Sequence, residues 1–300
     1  MRTVYLGTSE FAAAVLRRLA GSPHRPALVV TPPDRPRGRG RQSGSPPVAE
    51  RAAELGLELL QSADVNEETA LARIRAAEPE AVAVCAFGQL IREPLLSEWP
   101  LLNVHPSLLP RWRGAAPIER AMIAGDATTG VSIMRVTAGL DSGPVALREE
   151  IAIDPEDDFA ALSERLAALG GELLVRALDL QAQSDLGFDE QDDEQATYAE
   201  KIESAERRLD PGRPATELAR RVRALTPHVG AYLDLGEDRL GVRRARAVDV
   251  SVRQGELRSE WGALLLGCCR GALRLEVVQP PGGKPMPADA YLRGHPVPSL

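Results

Sequence analysis

The chain has 300 residues, 44% of them hydrophobic, and a net charge of −7, which suits two ordinary globular domains. Its longest apolar runs, such as 81–87 and 263–266, fall far short of a membrane span, and Met1-Arg2-Thr3-Val4-Tyr5-Leu6-Gly7 reads as a strand, without the apolar core and cleavage site of a secretory leader. Three cysteines (Cys85, Cys268, Cys269) and four histidines form no disulfide framework and no zinc-ligand spacing, so we expect a cytoplasmic protein with no membrane segment and no metal.

Taken in chain order, short apolar strands alternate with helical patterns. Residues 3–6 predict a strand, and 10–20 a helix with Phe11, Val15 and Leu19 on one face. A strand at 27–31 precedes a helix at 45–55, with Ser45 as its cap and Pro46 in its first turn. There follow a strand at 58–60, a helix at 67–77, strands at 81–86 and 102–105, a helix at 118–124, a strand at 131–136 and a long helix at 159–183. Strand–helix alternation with near-continuous apolar strands predicts an α/β fold, a doubly wound parallel sheet covered on both faces. Sites in such sheets lie at the carboxyl ends of strands. The turn Gly7-Thr8-Ser9-Glu10 has one glycine where a dinucleotide fingerprint needs three, which argues against a nicotinamide or flavin cofactor. Thr8 or Ser9 is expected to cap the helix instead.

From Ser184 to Glu194 the chain turns polar and acidic, the mark of an inter-domain linker. A helix at 215–225 then precedes alternating segments at 230–235, 239–248, 255–260, 263–268 and 272–278, the spacing of a small antiparallel barrel. The predicted organisation is a first domain at 1–188, a linker at 189–205 and a barrel domain at 206–300. Charge follows it unevenly. Residues 1–51 carry nine arginines and three acids, and 206–300 carry sixteen basic and eleven acidic residues, around an acidic middle. That asymmetry suits a polyanion partner, or equally a solvated surface with a sign bias.

The chemistry concentrates at Leu102-Asn103-Val104-His105-Pro106-Ser107-Leu108-Leu109-Pro110-Arg111-Trp112-Arg113-Gly114. Asn103 and His105, two apart on a strand, share one face. His105 alone reads as a hydrogen-bonded structural histidine. An amide beside an imidazole suits nucleophilic attack on a carbonyl, the amide holding the oxyanion and the imidazole moving the proton. Asp141 lies in a loop bracketed by Gly139 and Gly143, from which it could orient the imidazole or serve as an ordinary turn aspartate.

These segments, with Arg111-Trp112-Arg113-Gly114-Ala115-Ala116-Pro117-Ile118 and Gly125-Asp126-Ala127-Thr128-Thr129-Gly130, resemble the folate-dependent formyltransferases, whose trio is Asn, His and Asp. The resemblance implies candidate catalytic residues Asn103, His105 and Asp141, and 10-formyltetrahydrofolate as co-substrate. It implies a folate site at Ser107, Leu108, Leu109 and Pro110, joined by Phe87, Gly88 and Leu90. The insert Pro32-Pro33-Asp34-Arg35-Pro36-Arg37-Gly38-Arg39-Gly40-Arg41 is a solvated loop on its own terms. It is similar to the P-D-R-P-x-G-R-G insert of the branch that formylates methionyl initiator tRNA. The resemblance therefore implies tRNA contacts at Arg35, Arg37, Arg39 and Arg41, and at Lys284 in Gly282-Gly283-Lys284-Pro285-Met286. It further implies a Rossmann-like first domain, an OB-like second domain that binds the tRNA body, and a monomer. Ser9, Pro32, Pro211 and Val229 depart from the family's usual residues, and none touches the trio.

Overall fold

A computed structural model describes residues 1–37, 42–260 and 262–298. The chain divides into two compact units. The first comprises Met1–Gly114, Thr129–Ile151 and Ser163–Tyr198; the second comprises Ala115–Thr128, Ala152–Leu162 and Ala199–Leu300.

The first unit is built on a seven-stranded sheet, in the order Val145–Ala152, Thr128–Arg135, Leu101–His105, Ala81–Cys85, Thr3–Gly7, Pro26–Thr31, Leu59–Gln61. The five strands from Leu101–His105 onward run parallel. Thr128–Arg135 pairs antiparallel with Leu101–His105, Asn103 opposite Met134 and His105 opposite Ser132. The expected parallel sheet thus carries a reversed strand beside the site. The edge strand Val145–Ala152 was not legible because it lacks an apolar run: its middle is half-buried to exposed.

Alternation along the strands divides the first unit's core between the two sheet faces. Val4, Leu6, Leu28, Val30, Val82 and Val84 share one buried cluster with Phe87 and Ile91. On the other face the helix Phe159–Ala182 comes close at Gly170, where a Cβ would meet Val104 Cγ1 at 2.8 Å and Val131 Cγ1 at 3.6 Å. A glycine pair inside a helix costs helical stability, and here it admits the strand. Val104 faces that helix, so Asn103 and His105 face away from it. The helix Glu10–Ala20 is capped by Ser9, whose Oγ accepts from Ala12 N at 3.3 Å. The other candidate, Thr8, donates to the Phe87 carbonyl instead. The next helix, Pro47–Glu54, starts later than expected and Ser45 does not cap it. Each proline holds the residue before it extended, which keeps Ser45 and Pro46 outside the first turn.

The second unit carries a six-stranded antiparallel sheet in the order Ala231–Leu235, Asp238–Val248, Ala272–Gln279, Ala263–Gly267, Leu257–Glu260, with Met286–Pro287 added on Ala272–Gln279. It packs around the helix Ala215–Leu225, whose Leu218, Val222 and Leu225 are buried against Leu233, Leu240, Leu266 and Leu275. Each fully buried leucine of this kind is worth roughly 1.5–3 kcal/mol of transfer free energy. Among the described residues no helix is long and apolar enough to cross a membrane.

Candidate active site

His105 ends its strand and is 4% exposed. Its Nε2 lies 2.8 Å from the Trp112 carbonyl. A carbonyl only accepts, so Nε2 carries the proton and the neutral ring keeps its lone pair on Nδ1. Nδ1 faces Asp141, with Oδ2 at 3.7 Å. That is an ion-pair distance, too long for a hydrogen bond. The Trp112 carbonyl therefore orients the imidazole, the role the sequence offered to Asp141. Asp141 meets the nitrogen that can take up a proton.

Asp141 is a non-glycine residue at φ 45°. Its Oδ2 accepts from Gly114 N at 2.9 Å, fixing the carboxylate through the backbone. Asn103 is half-buried, and its amide makes no hydrogen bond among the described residues. It shares the His105 face, with donors left for a substrate oxygen.

The segment after His105 is held by its own bonds. Ser107 Oγ donates to the Arg111 carbonyl at 2.6 Å, and Ser132 Oγ donates to the Ser107 carbonyl at 2.7 Å while accepting from Leu109 N at 3.1 Å. Arg148 donates to the Leu109 carbonyl at 3.0 Å, and Trp112 N donates to Thr197 Oγ1 at 2.9 Å. Leu109 is fully buried against Met134 and Val145. Leu108 is half-buried, and its amide has no partner among the described residues. Of the four loop residues, Leu108 keeps most contact capacity toward a ligand. Ser132 escaped the sequence reading, though a serine inside Gly130-Val131-Ser132-Ile133-Met134 must be buried and therefore bonded.

Phe87 is 3% exposed and packs inward, whereas Gly88 and Leu90 are exposed. Gln89 and Asn66 hold this loop: Gln89 bonds Val65 N and the Ser62 carbonyl at 2.8 Å each, and Asn66 bonds the Leu90 carbonyl at 2.9 Å. Leu90 and Leu140 are 65% and 63% exposed. Leu140, beside Asp141, was not singled out by the sequence.

Of the candidate RNA contacts, Arg35 is exposed and its strand Arg35–Arg37 pairs antiparallel with Gln42–Gly44. Arg39 and Arg41 lie outside the described residues. Lys284 is exposed just after a turn of the second unit.

An unbonded amide and an imidazole nitrogen at one strand end, with a loop carboxylate facing the ring, are groups that suit acyl transfer. Residues 1–178 match the family model for formyl transferase, and 201–296 match the one for its C-terminal domain. The chain is 43% identical over 299 residues to methionyl-tRNA formyltransferase of Methylococcus capsulatus, covering 98% of this chain and 97% of that one. The structure is similar to that of methionyl-tRNA formyltransferase from Clostridium thermocellum, with TM-score 0.58 and 14% identity, covering 87% and 97% of the two chains. It is also similar to HypX of Aquifex aeolicus in complex with tetrahydrofolic acid, with TM-score 0.67, 17% identity and 97% of this chain covered. The chain spans about half the length of HypX, 47%. The chain belongs to the formyl transferase family.

Proposed function

We propose that this chain transfers the formyl group of 10-formyltetrahydrofolate to the α-amino group of methionyl initiator tRNA, giving formylmethionyl-tRNA for translation initiation. One observation carries the reading: an unbonded Asn103 amide beside a His105 whose base nitrogen faces Asp141. The 43% identity to a methionyl-tRNA formyltransferase over nearly the whole chain supports it.

The neutral amine attacks the formyl carbon, and negative charge grows on the formyl oxygen. The Asn103 amide donates to that oxygen, a contact that strengthens as the transition state forms. His105 Nδ1 takes the amine's proton, which then lies toward the Asp141 carboxylate. The same proton passes to N10 as its bond to the formyl carbon breaks. One C–N bond forms, one breaks, and the proton ends on the folate.

Leu90 and Leu140 offer apolar surface to the flat pterin, with Phe87 and Gly88 shaping one loop and Ser107, Leu108, Leu109 and Pro110 the other. Arg35, Arg37, Arg39 and Arg41 contact the acceptor end of the tRNA, and Lys284 its body. By position along the chain, the catalytic residues fall within 1–188 and the RNA-binding stretch within 206–300, joined by 189–205. The enzyme works as a monomer in the cytoplasm.

The test is formylation with 10-formyltetrahydrofolate and two charged tRNAs, initiator and elongator, resolved on an acid gel. Formylation of the initiator alone is the expected result. Formylation of neither, with folate still bound, would move the reaction to another acceptor.

A further inference from the structure

Gln191 lies in the stretch between the two family matches, which end at 178 and resume at 201. By sequence it belonged to an acidic linker. The structure brings it to the Asp141 loop. Asp189 bridges Val145 through two backbone bonds, at 2.8 and 2.9 Å. Two residues on, the Gln191 amide donates to the carbonyls of Asp141 at 2.9 Å and Gly143 at 2.6 Å. Its Oε1 accepts from Arg113 Nε at 2.9 Å. Both kinds of polar atom in this side chain are committed.

Arg113 is 3% exposed, and its Nη2 pairs with Asp193 at 2.7 Å. The residue after it, Gly114, donates its amide to Asp141 Oδ2. One dipeptide thus braces Asp141 twice, at the carboxylate directly and at the main chain through Gln191. Asp141 needs both braces. Its φ of 45° is a conformation that persists only where surroundings over-determine it. A Cβ at Gly143 would clash with the Arg135 carbonyl, so the loop is also tight on its other side.

We propose that Gln191 is a positioning residue for formyl transfer: it fixes the Asp141 loop so that the carboxylate stays opposite His105 Nδ1. This rests on the reading of Asp141 given above. What Gln191 sets is geometry at the reacting centre, where misplacement by about 1 Å can cost on the order of 10²-fold in rate.

The experiment is a double-mutant cycle of Gln191→Met and Asp141→Asn, with kcat and both KM values per folded molecule. Gln191→Met keeps the shape and removes the donors. We expect its kcat to fall roughly 10- to 100-fold with both KM values little changed. In the Asp141→Asn background the same change should cost nothing further, because two residues acting through one contact are not additive. Gln191→Glu, which keeps an acceptor for Arg113 and folds by that pairing, should fall equally.

If Asp141→Asn is slow while Gln191→Met and Gln191→Glu keep wild-type kcat, the proposal is wrong and the Asp141 reading stands. Losses that multiply in the double variant also overturn it, since they assign Gln191 a role apart from Asp141. An Asp141→Asn enzyme with full kcat overturns the Asp141 reading itself.

Discussion

Asn103 shows how little of a side chain's role lies in its own contacts. It is half-buried, its side-chain amide makes no hydrogen bond among the described residues, and truncating that side chain removes no bond the fold uses. Asn103→Ala should therefore fold normally, bind folate, and lose about 10²–10³ in single-turnover rate, the usual cost of one oxyanion donor; an unchanged rate would end that assignment. The pairing of Asn103 with His105 was legible, because strand periodicity needs no tertiary information. The tautomer was not: it depends on the Trp112 carbonyl, seven residues on and turned toward the ring by the loop between. The cysteines make a separate residue-scale test. Burial pushes the Cys85 thiol up to about 12 and that of Cys268 to about 11, so both stay protonated at pH 8. Cys269 is exposed. Because the thiolate is the nucleophile, iodoacetamide at pH 8 should label Cys269 and spare the other two by mass spectrometry of the native protein. Labelling of Cys85 would show that the first unit's sheet opens.

Elements here are held by contacts between distant stretches of chain. A Cβ at Gly130 would clash with the Glu149 carbonyl and crowd Leu108 Cδ2, joining the edge hairpin to the loop after His105. Gly130→Ala should cost about 1–3 kcal/mol, as overpacking does, and lower activity at temperatures where the protein is still folded. A destabilised variant with full activity would separate the hairpin from the site. In the second unit Arg120, on the helix Pro117–Ala124, makes a two-pronged pair with Glu206 at 2.5 and 3.0 Å and bonds the Glu200 carbonyl at 3.0 Å. That guanidinium holds the Glu206 carboxyl below its ordinary 4.5, against burial that raises it. The stabilisation is present above pH 4.5 and is lost as pH falls through the lowered folded value. Glu206→Gln should cost roughly 0.5–1 kcal/mol at pH 7 and progressively less as pH falls below 4.5 in denaturant titrations. A penalty that does not shrink as pH falls would assign it to packing.

For the whole molecule the charge distribution matters more than the net value. An acidic total argues against an RNA partner, but basic residues gather in the first 51 and the last 95 positions. If the proposed tRNA contacts form, the affinity for methionyl-tRNA falls steeply with salt, since each neutralised phosphate releases counterions. Arg35→Ala and Lys284→Ala should each reduce the slope of log K against log salt by about 1, with kcat at saturating tRNA preserved. Unchanged slopes would place the RNA elsewhere. The two compact units also interleave along the chain: segments 115–128 and 152–162 group with the C-terminal residues. A reading that proceeds residue by residue divides the chain into contiguous stretches and cannot anticipate this.

By itself the sequence determined what short range controls: the alternating strands and helices, the shared face of Asn103 and His105, and the antiparallel pattern after residue 230. Strand period was enough to pair Asn103 with His105, whereas Asp141 entered the candidate trio through the family resemblance. Tertiary structure alone decided the rest. It reversed the strand beside the site, turned Leu109 and Phe87 inward, gave the ring its orienting carbonyl, and brought Gln191 and Arg113 around Asp141. The contacts involved join distant residues, Gln191 and Arg113 being 78 positions apart, and no local propensity encodes which distant carbonyl a buried amide will find.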